Sequence, residues 1–236
     1  MQDREFNRHI MKKMILVAMT VLCAVSLNAR KVSILGDSYS TFQGCVQPET
    51  NESWYFPGDP AEKTDVTSPE LTWWRIFLER TGWELERNNS YSGATICNRG
   101  YDGADYSHRA FTHRVFDLGD PDIILVFGAT NDYWAHAAIT PEESAEPLPH
   151  PFYAFAPAMD YLLQQLGALY PRAEAVFMLN DEIKGSLREK ILEQCAARGV
   201  RCLELHDVEK RMGHPDAAGM RAIADQLIRF LPAESK

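Results

Sequence analysis

The chain has 236 residues, of which 45% are hydrophobic and 24% charged, the composition of an ordinary globular protein with one large domain. Its formal net charge is −9 at pH 7. Because a surface with this excess of carboxylates repels phosphate backbones, we exclude nucleic-acid binding.

The first 29 residues have the pattern of a secretory signal peptide. Lys12 and Lys13 precede an apolar run over residues 14–27, and a small-residue stretch ends at Ala29. The run is shorter than the roughly 20 residues that a membrane-spanning helix needs, so we expect no stable membrane anchor. We predict an upstream extension, cleavage after Ala29, and a single secreted or periplasmic domain over residues 30–236.

Short β-rich apolar runs then alternate with longer segments of helical periodicity. Strands are predicted at residues 32–35, 83–87, 123–127, 175–179 and 200–205. Helices are predicted at residues 71–81, 107–116, 157–170, 186–198 and 217–231. This alternation predicts a three-layer α/β fold, with a flavodoxin-like, five-stranded parallel sheet covered by helices on both faces. Residues 44–69 and 132–151 are irregular, and we expect them to wall a pocket beyond the carboxyl ends of the strands.

Four cysteines follow the signal segment, an even number that permits disulfides in an exported protein. The sequence leaves open a Cys45–Cys97 or a Cys195–Cys202 bridge, and we favour the first. It contains no CxxC pair, zinc-type Cys/His spacing, GxGxxG or P-loop pattern. We therefore expect no metal and no cofactor, and the oligomeric state is left open.

A serine stands on the turn after the first predicted strand. Gly36, Asp37 and Ser38 follow this strand directly, and the carboxyl end of a strand is a place where a nucleophile can be exposed. Taken alone, Gly-Asp-Ser is more often an ordinary turn, because all three residues favour turn conformations. Further segments are needed to favour catalysis.

Three such segments follow in order, and together with the first they resemble the SGNH/GDSL hydrolase family over essentially the whole mature chain. The four matching blocks are Gly36-Asp37-Ser38, Ser90-Tyr91-Ser92-Gly93-Ala94, Gly128-Ala129-Thr130-Asn131-Asp132 and Gly213-His214-Pro215. Each block is a weak signal, but four in the family's order are a strong one.

The resemblance implies a serine esterase with Ser38 as nucleophile and His214 as its base. It assigns three donors to the oxyanion that forms on the ester carbonyl: the backbone N–H groups of Ser38 and Gly93 and the side-chain amide of Asn131. A glycine at position 93 lets the backbone approach the substrate closely. An imidazole with a near-neutral pKa is suited to accept the serine proton and return it to the leaving alcohol.

The sequence departs from the family at the acid that orients the histidine. The usual block is Asp-x-x-His, but Arg211 stands three residues before His214, and a guanidinium cannot accept the imidazole N–H. Three explanations stay open: an upstream acid, a replacement elsewhere, or a Ser/His dyad. The upstream acids are Asp207 and Glu209, and the replacement is a backbone carbonyl, Asp181 or Glu182. We prefer Asp207.

The predicted pocket walls are rich in aromatic residues, which suit the flat face of a sugar ring. They include Trp54, Tyr55, Tyr133 and Trp134, although aromatic residues under long loops also serve as core. We predict a small-molecule or polysaccharide ester as substrate, with an acetyl group on a carbohydrate first. A glycan-binding degenerate hydrolase, an acyltransferase and a lipase remain alternatives.

Overall fold

The computed structural model describes residues 29–231, so the predicted signal peptide, apart from Ala29, lies outside the described residues. The five parallel strands are β1 (Lys31–Gly36), β2 (Glu84–Ser90), β3 (Ile123–Gly128), β4 (Glu174–Leu179) and β5 (Arg201–Glu204). They lie side by side in the order β2-β1-β3-β4-β5, the flavodoxin-like order. The predicted fold class is therefore confirmed.

The helices are α1 (Trp73–Thr81), α2 (Phe111–Arg114), α3 (Thr130–Trp134), α4 (Phe155–Leu169), α5 (Gly185–Arg198) and α6 (Ala217–Phe230). α2 is shorter than predicted, because Asp105 Oδ1 accepts the Ser107 N–H and holds a turn where the helix was expected to begin. α3 was not predicted and takes up the start of the second irregular stretch. No helix among residues 29–231 is long and apolar enough to cross a bilayer.

Each face of the sheet has its own core, because successive strand residues point to opposite faces. Ile34 belongs to a cluster with side chains of α1 and α6, such as Phe77 and Ile223. Leu35 belongs to the opposite cluster, with side chains of α2, α4 and α5 such as Phe111 and Leu162.

The two cores explain why the predicted Cys45–Cys97 bridge is wrong. Cys45 packs against the first core and Cys97 is buried in the second, so the sheet separates the two thiols. All four cysteines of the described chain are free thiols. Cys195 and Cys202 are in contact, and their hydrogen bond, together with burial, raises the pKa of Cys195.

β2 is an edge strand with a polar sequence. For this reason a search for apolar runs does not find where the strand ends. It continues to Ser90 rather than stopping at residue 87, and its last three residues are buried. Asn88 Nδ2 donates to the Ser40 carbonyl at 2.9 Å, and Ser90 Oγ donates to Asn88 Oδ1 at 2.6 Å. These contacts brace the turn that follows β1.

Arg114 ties the ends of β1 and β2 together from inside the protein. Its buried guanidinium donates to the carbonyl oxygens of Gly36 at 3.1 Å and Asn89, and its Nε donates to the Arg109 carbonyl at 2.7 Å. Burial lowers the pKa of Arg114 to about 9. The interaction fixes the backbone directly before Ser38.

We expect Arg114→Met to lower the free energy of unfolding by about 3 kcal/mol, because three carbonyls, two of them in buried hydrogen bonds, each lose a donor. Urea unfolding followed by tryptophan fluorescence measures this change. The matched control is Arg172→Met, whose guanidinium pairs with Asp120 on the open surface and should change stability by less than about 0.5 kcal/mol. Equal effects of the two variants would show that Arg114 is not a structural clamp.

Candidate active site

Ser38 is held on a tight turn at the carboxyl end of β1. The Asp37 carboxylate accepts the Tyr39 N–H at 3.0 Å, and residues Ser38–Ser40 form one 3-10 turn. A Cβ at Gly36 would lie 2.5 Å from Ser90 Oγ, so only glycine permits this approach of β1 to β2. The turn places Ser38 directly after β1, where the residue is 2% exposed.

His214 reaches this hydroxyl from the opposite end of the chain. Its Nε2 lies 2.9 Å from Ser38 Oγ, within hydrogen-bond distance. Both residues are buried. This pairing can perform proton transfer from a nucleophilic oxygen, since hydroxyl and base are already in contact.

A two-residue hairpin sets the orientation of the imidazole. Strands β6 (Lys210–Arg211) and β7 (His214–Pro215) are antiparallel and joined by Met212 and Gly213, with φ values of 48° and 76°. Positive φ at both central residues is what a type I′ turn requires. The Met212 carbonyl lies 3.1 Å from His214 Nδ1. With Nε2 accepting the Ser38 hydroxyl, Nδ1 carries the proton and donates it to this carbonyl.

The prediction that Asp207 orients His214 is wrong. The Asp207 side chain is 96% exposed and pairs with His206 Nδ1 at 3.1 Å, while the hairpin turns His214 Nδ1 onto its own backbone. The Arg211 guanidinium is directed away from the ring, to the Ala61 carbonyl. Of the three explanations, the backbone carbonyl is the one that matches the geometry.

The other candidate acids are also engaged elsewhere. Asp181 and Glu182 follow β4 and both pair with Lys210, the latter at 3.3 Å. Glu209 is exposed. Among residues 29–231, no carboxylate makes a hydrogen bond or ion pair with His214. The Lys210 cluster instead anchors the hairpin to the end of β4.

Aromatic rings enclose the imidazole. The Trp54 indole is stacked on it, with ring centroids 3.8 Å apart and an interplanar angle of 9°. Tyr39 and Trp134 approach it obliquely, with centroids at 5.3 and 5.8 Å. The His214 ring is thus held by contact on its face as well as by the carbonyl at Nδ1.

The four predicted wall residues separate into different environments. Tyr55 is fully buried and donates its hydroxyl to the Pro215 carbonyl at 2.8 Å, so it supports the hairpin and its prediction as a substrate contact is wrong. Trp54 is half-buried and gives one face to His214. Tyr133 packs against the second core, whereas half-buried Trp134 stays beside His214.

The predicted oxyanion donors lie at the ends of β1, β2 and β3. Gly93 adopts φ 75°, a left-handed conformation that favours glycine. Within the described residues, the N–H groups of Ser38 and Gly93 donate to no backbone carbonyl. Asn131 Nδ2 donates one hydrogen to the Ala94 carbonyl at 3.0 Å and keeps a second. The three donors that the resemblance assigned therefore follow three neighbouring strands, at the same edge of the sheet.

Asp132, for which the motif predicts no role, supports the loop that carries Gly93. Its buried carboxylate accepts the N–H groups of Ile96 at 2.8 Å and Cys97 at 3.0 Å. Burial raises the pKa of Asp132 to about 6. The only sign in the sequence that Asp132 has a role is its place in the third motif block. In the described part of the chain, no group of three or more His, Cys, Asp and Glu side chains is arranged to hold a metal ion.

The surroundings of His214 favour its neutral form. The pKa of His214 is lowered to about 4, mainly by burial and to a smaller extent by the charges of Lys63 and Lys210, while the hydrogen bond to the Met212 carbonyl acts in the opposite direction. A neutral imidazole is the form that can accept a proton. The site is therefore prepared for base catalysis well below neutral pH.

We expect the acidic limb of kcat/KM to have its inflection near pH 4 rather than near 6.5. The pKa is lowered, so the base form persists above about 4 and activity is lost as the pH falls through that value. For the same reason, the His214 contribution to folding stability decreases as the pH falls from about 6.5 towards 4. A stopped assay with p-nitrophenyl acetate between pH 3.5 and 8 measures the profile, and an inflection at 6.5 would contradict it.

Comparison with known proteins points to one family. A family model described as GDSL-like Lipase/Acylhydrolase matches residues 30–231. The crystal structure of a GDSL-like lipase from Bacteroides uniformis is 46% identical, with a TM-score of 0.81 over 86% of this chain and 96% of that chain. A GDSL-like lipase from Bacteroides ovatus is 45% identical, with a TM-score of 0.81 over 86% and 98%. No curated protein matches.

More distant structures share the fold. An acetyl xylan esterase from Butyrivibrio proteoclasticus is 15% identical, with a TM-score of 0.58 over 86% of this chain and 63% of that chain. A family two carbohydrate esterase from Clostridium thermocellum, in complex with cellohexaose, is 16% identical, with a TM-score of 0.55 over the same two shares.

Proposed function

Because this chain belongs to the GDSL-like lipase/acylhydrolase family and is an ester hydrolase, we propose that it removes a small acyl group, acetyl first, from a carbohydrate. The reaction passes through an acyl intermediate on Ser38, with His214 as general base. The observation that carries the proposal is the 2.9 Å contact between His214 Nε2 and Ser38 Oγ.

In the first half of the reaction, Ser38 Oγ attacks the ester carbonyl carbon while His214 Nε2 takes its proton. The carbonyl oxygen becomes negatively charged and is stabilised by the Ser38 and Gly93 N–H groups and the Asn131 amide. The intermediate collapses as His214 returns the proton to the leaving alcohol, which leaves the acyl group on Ser38. Water then releases the acid by the same steps in reverse.

The imidazolium that forms in each half-reaction is stabilised without a carboxylate. The Met212 carbonyl accepts its Nδ1–H, and the Trp54 face lies against the ring. A carbonyl carries a partial rather than a full negative charge, so it raises the pKa of His214 less than an aspartate would. This agrees with the low pKa of the free imidazole.

The burial of the site residues supports a small acyl group and a larger alcohol. Ser38 and Asn131 are each 2% exposed, which disfavours a long acyl chain. Half-buried Trp134 and Met212, which is 70% exposed, lie beside His214, where a sugar ring can rest on apolar surface. The carbohydrate esterases among the structural neighbours support the same class of alcohol.

Acetate release from acetylated xylo-oligosaccharides tests the substrate, with p-nitrophenyl acetate and p-nitrophenyl octanoate compared in parallel. We expect kcat/KM to be highest for the acetylated oligosaccharide and lowest for the octanoate. Highest activity on the octanoate would identify a lipase. Transfer of acetyl to an added sugar in place of acetate release would identify an acyltransferase.

We also propose that the protein is exported. The basic and apolar pattern before Ala29 supports this, and the family match begins at residue 30. Expression of the full chain in a Gram-negative host, followed by fractionation, is expected to give a periplasmic or secreted product whose N-terminus is Arg30. A cytoplasmic product that retains residues 1–29 would exclude export.

A further inference from the structure

We propose that Tyr101 is a positioning residue of the oxyanion hole, whose hydroxyl holds the Asn131 amide so that its free N–H faces the Ser38 nucleophile. Tyr101 belongs to none of the four motif blocks. Its hydroxyl lies 2.7 Å from Asn131 Oδ1. The inference rests on the proposed function, because Asn131 must act on an oxyanion for its orientation to matter.

Both ends of the Asn131 side-chain amide have a hydrogen-bond partner. Oδ1 accepts the Tyr101 hydroxyl, and one hydrogen of Nδ2 goes to the Ala94 carbonyl at 3.0 Å. A flipped amide would set Oδ1 against the Ala94 carbonyl, two acceptors in contact. Tyr101 and Ala94 therefore fix the plane of the amide and the positions of its oxygen and nitrogen, which leaves one N–H for the substrate.

Tyr101 is held beside Asn131 by a small lobe, residues 98–106. Gly100 N–H donates to the Ala104 carbonyl at 2.8 Å, and Tyr106 N–H donates to the Asn98 carbonyl at 2.7 Å, which closes the lobe on itself. A Cβ on Gly100 would overlap the Tyr106 ring, so the two residues are packed without a gap. The Tyr106 ring in turn lies against Tyr101, with centroids 6.2 Å apart.

The Tyr101 phenol stays a donor throughout the working range of the enzyme. Burial raises the pKa of Tyr101 to about 12, so its proton is present at neutral pH. Donation to Oδ1 also draws electron density from the amide nitrogen, which makes the free N–H a stronger donor. Tyr101 touches neither the nucleophile nor the base, and its effect on the reaction passes through Asn131.

Tyr101→Phe removes only this hydroxyl. We expect kcat for p-nitrophenyl acetate to fall about tenfold while KM changes less than twofold, because the interaction lost is one that matters in the transition state. Tyr161→Phe is the matched control, since Tyr161 lies on α4 with its ring against Phe152, away from Asn131. It should retain the wild-type kcat and KM.

A double-mutant cycle separates positioning from a general structural role. In the Asn131→Ala background, Tyr101→Phe should lower kcat by less than a further twofold, because the group it positions is gone. A full tenfold loss in both backgrounds would overturn the proposal. So would a kcat within twofold of wild type for Tyr101→Phe alone.

The orientation of the Asn131 amide can also be measured without turnover, by NMR. This measurement tests the positioning role separately from the proposed esterase activity. The Asn131 side-chain amide signals of ¹⁵N-labelled protein should shift in Tyr101→Phe and stay in place in Tyr161→Phe. Unshifted signals in Tyr101→Phe would overturn the positioning role, even in an active enzyme. Wild-type protein without esterase activity would overturn the proposed function, and the positioning role with it.

Discussion

Ser38→Ala and His214→Ala should each reduce kcat for ester hydrolysis by at least about 10⁴-fold, and the double variant should be no worse than the single ones. The reason is that the two residues act as one unit: without Nε2 the hydroxyl is a weak nucleophile, and without Oγ the base has nothing to activate. The 2.9 Å contact between them is the basis of this expectation. Steady-state kinetics with p-nitrophenyl acetate provide the measurement.

Asp207→Ala is the matched control for this series. Its carboxylate is on the surface and bonded to His206, so kcat should stay within twofold of wild type. A loss of 10²-fold or more in Asp207→Ala would mean that the acid reaches His214 after all and that the carbonyl is not its partner. Additive losses in the double variant would mean that Ser38 and His214 do not act together.

Asn131→Ala should lower kcat by about 10²- to 10³-fold with little change in KM. The amide meets a full negative charge only in the transition state, so its loss raises the barrier without weakening substrate binding. Asn131 is buried and its Nδ2 retains one uncommitted hydrogen, which suits this role. Initial rates over a range of p-nitrophenyl acetate concentrations separate kcat from KM.

Asn51→Ala provides a control of the same type. Asn51 donates to Asn89 and to the Ser90 carbonyl, so it supports the loop beside β2, and it makes no hydrogen bond to Ser38, Gly93, Asn131 or His214. Its kcat should remain within a few-fold of wild type. An Asn131→Ala variant that raises KM and leaves kcat unchanged would show that the amide binds the substrate and does not stabilise the oxyanion.

Most of the fold could be predicted from the sequence, because buried strands have apolar sequences. β3 and β4 show this plainly, and their predicted bounds differ from the structure by one residue at each end at most. β2 could be located but its end could not, since Asn88, Asn89 and Ser90 are polar residues buried by hydrogen bonds. Apolar periodicity does not record burial of that kind.

The motif residues converge in the structure because each stands at the carboxyl end of a parallel strand or beside it. Ser38 follows β1, Gly93 follows β2 and Asn131 follows β3, so their meeting at one sheet edge is a consequence of topology. Their catalytic roles stay predictions.

The partner of His214 could not be found by looking for a side chain. It is the carbonyl of Met212, and it reaches Nδ1 because Met212 and Gly213 both adopt positive φ in a two-residue turn. The sequence predicts Trp54 as part of a pocket wall, but its stacking on His214 depends on a contact between residues that are 160 positions apart. Spacing along the chain contains neither kind of information.

The most direct test of the Ser38/His214 pair is its reaction with an alkyl fluorophosphonate, which phosphonylates a serine only when a base activates it. Peptide mass mapping should find one adduct, on Ser38, at a rate that falls at least about 10³-fold in His214→Ala and is unchanged in Asp207→Ala. An adduct on any other residue, or the same labelling rate in His214→Ala, would contradict a Ser/His dyad oriented by the Met212 carbonyl.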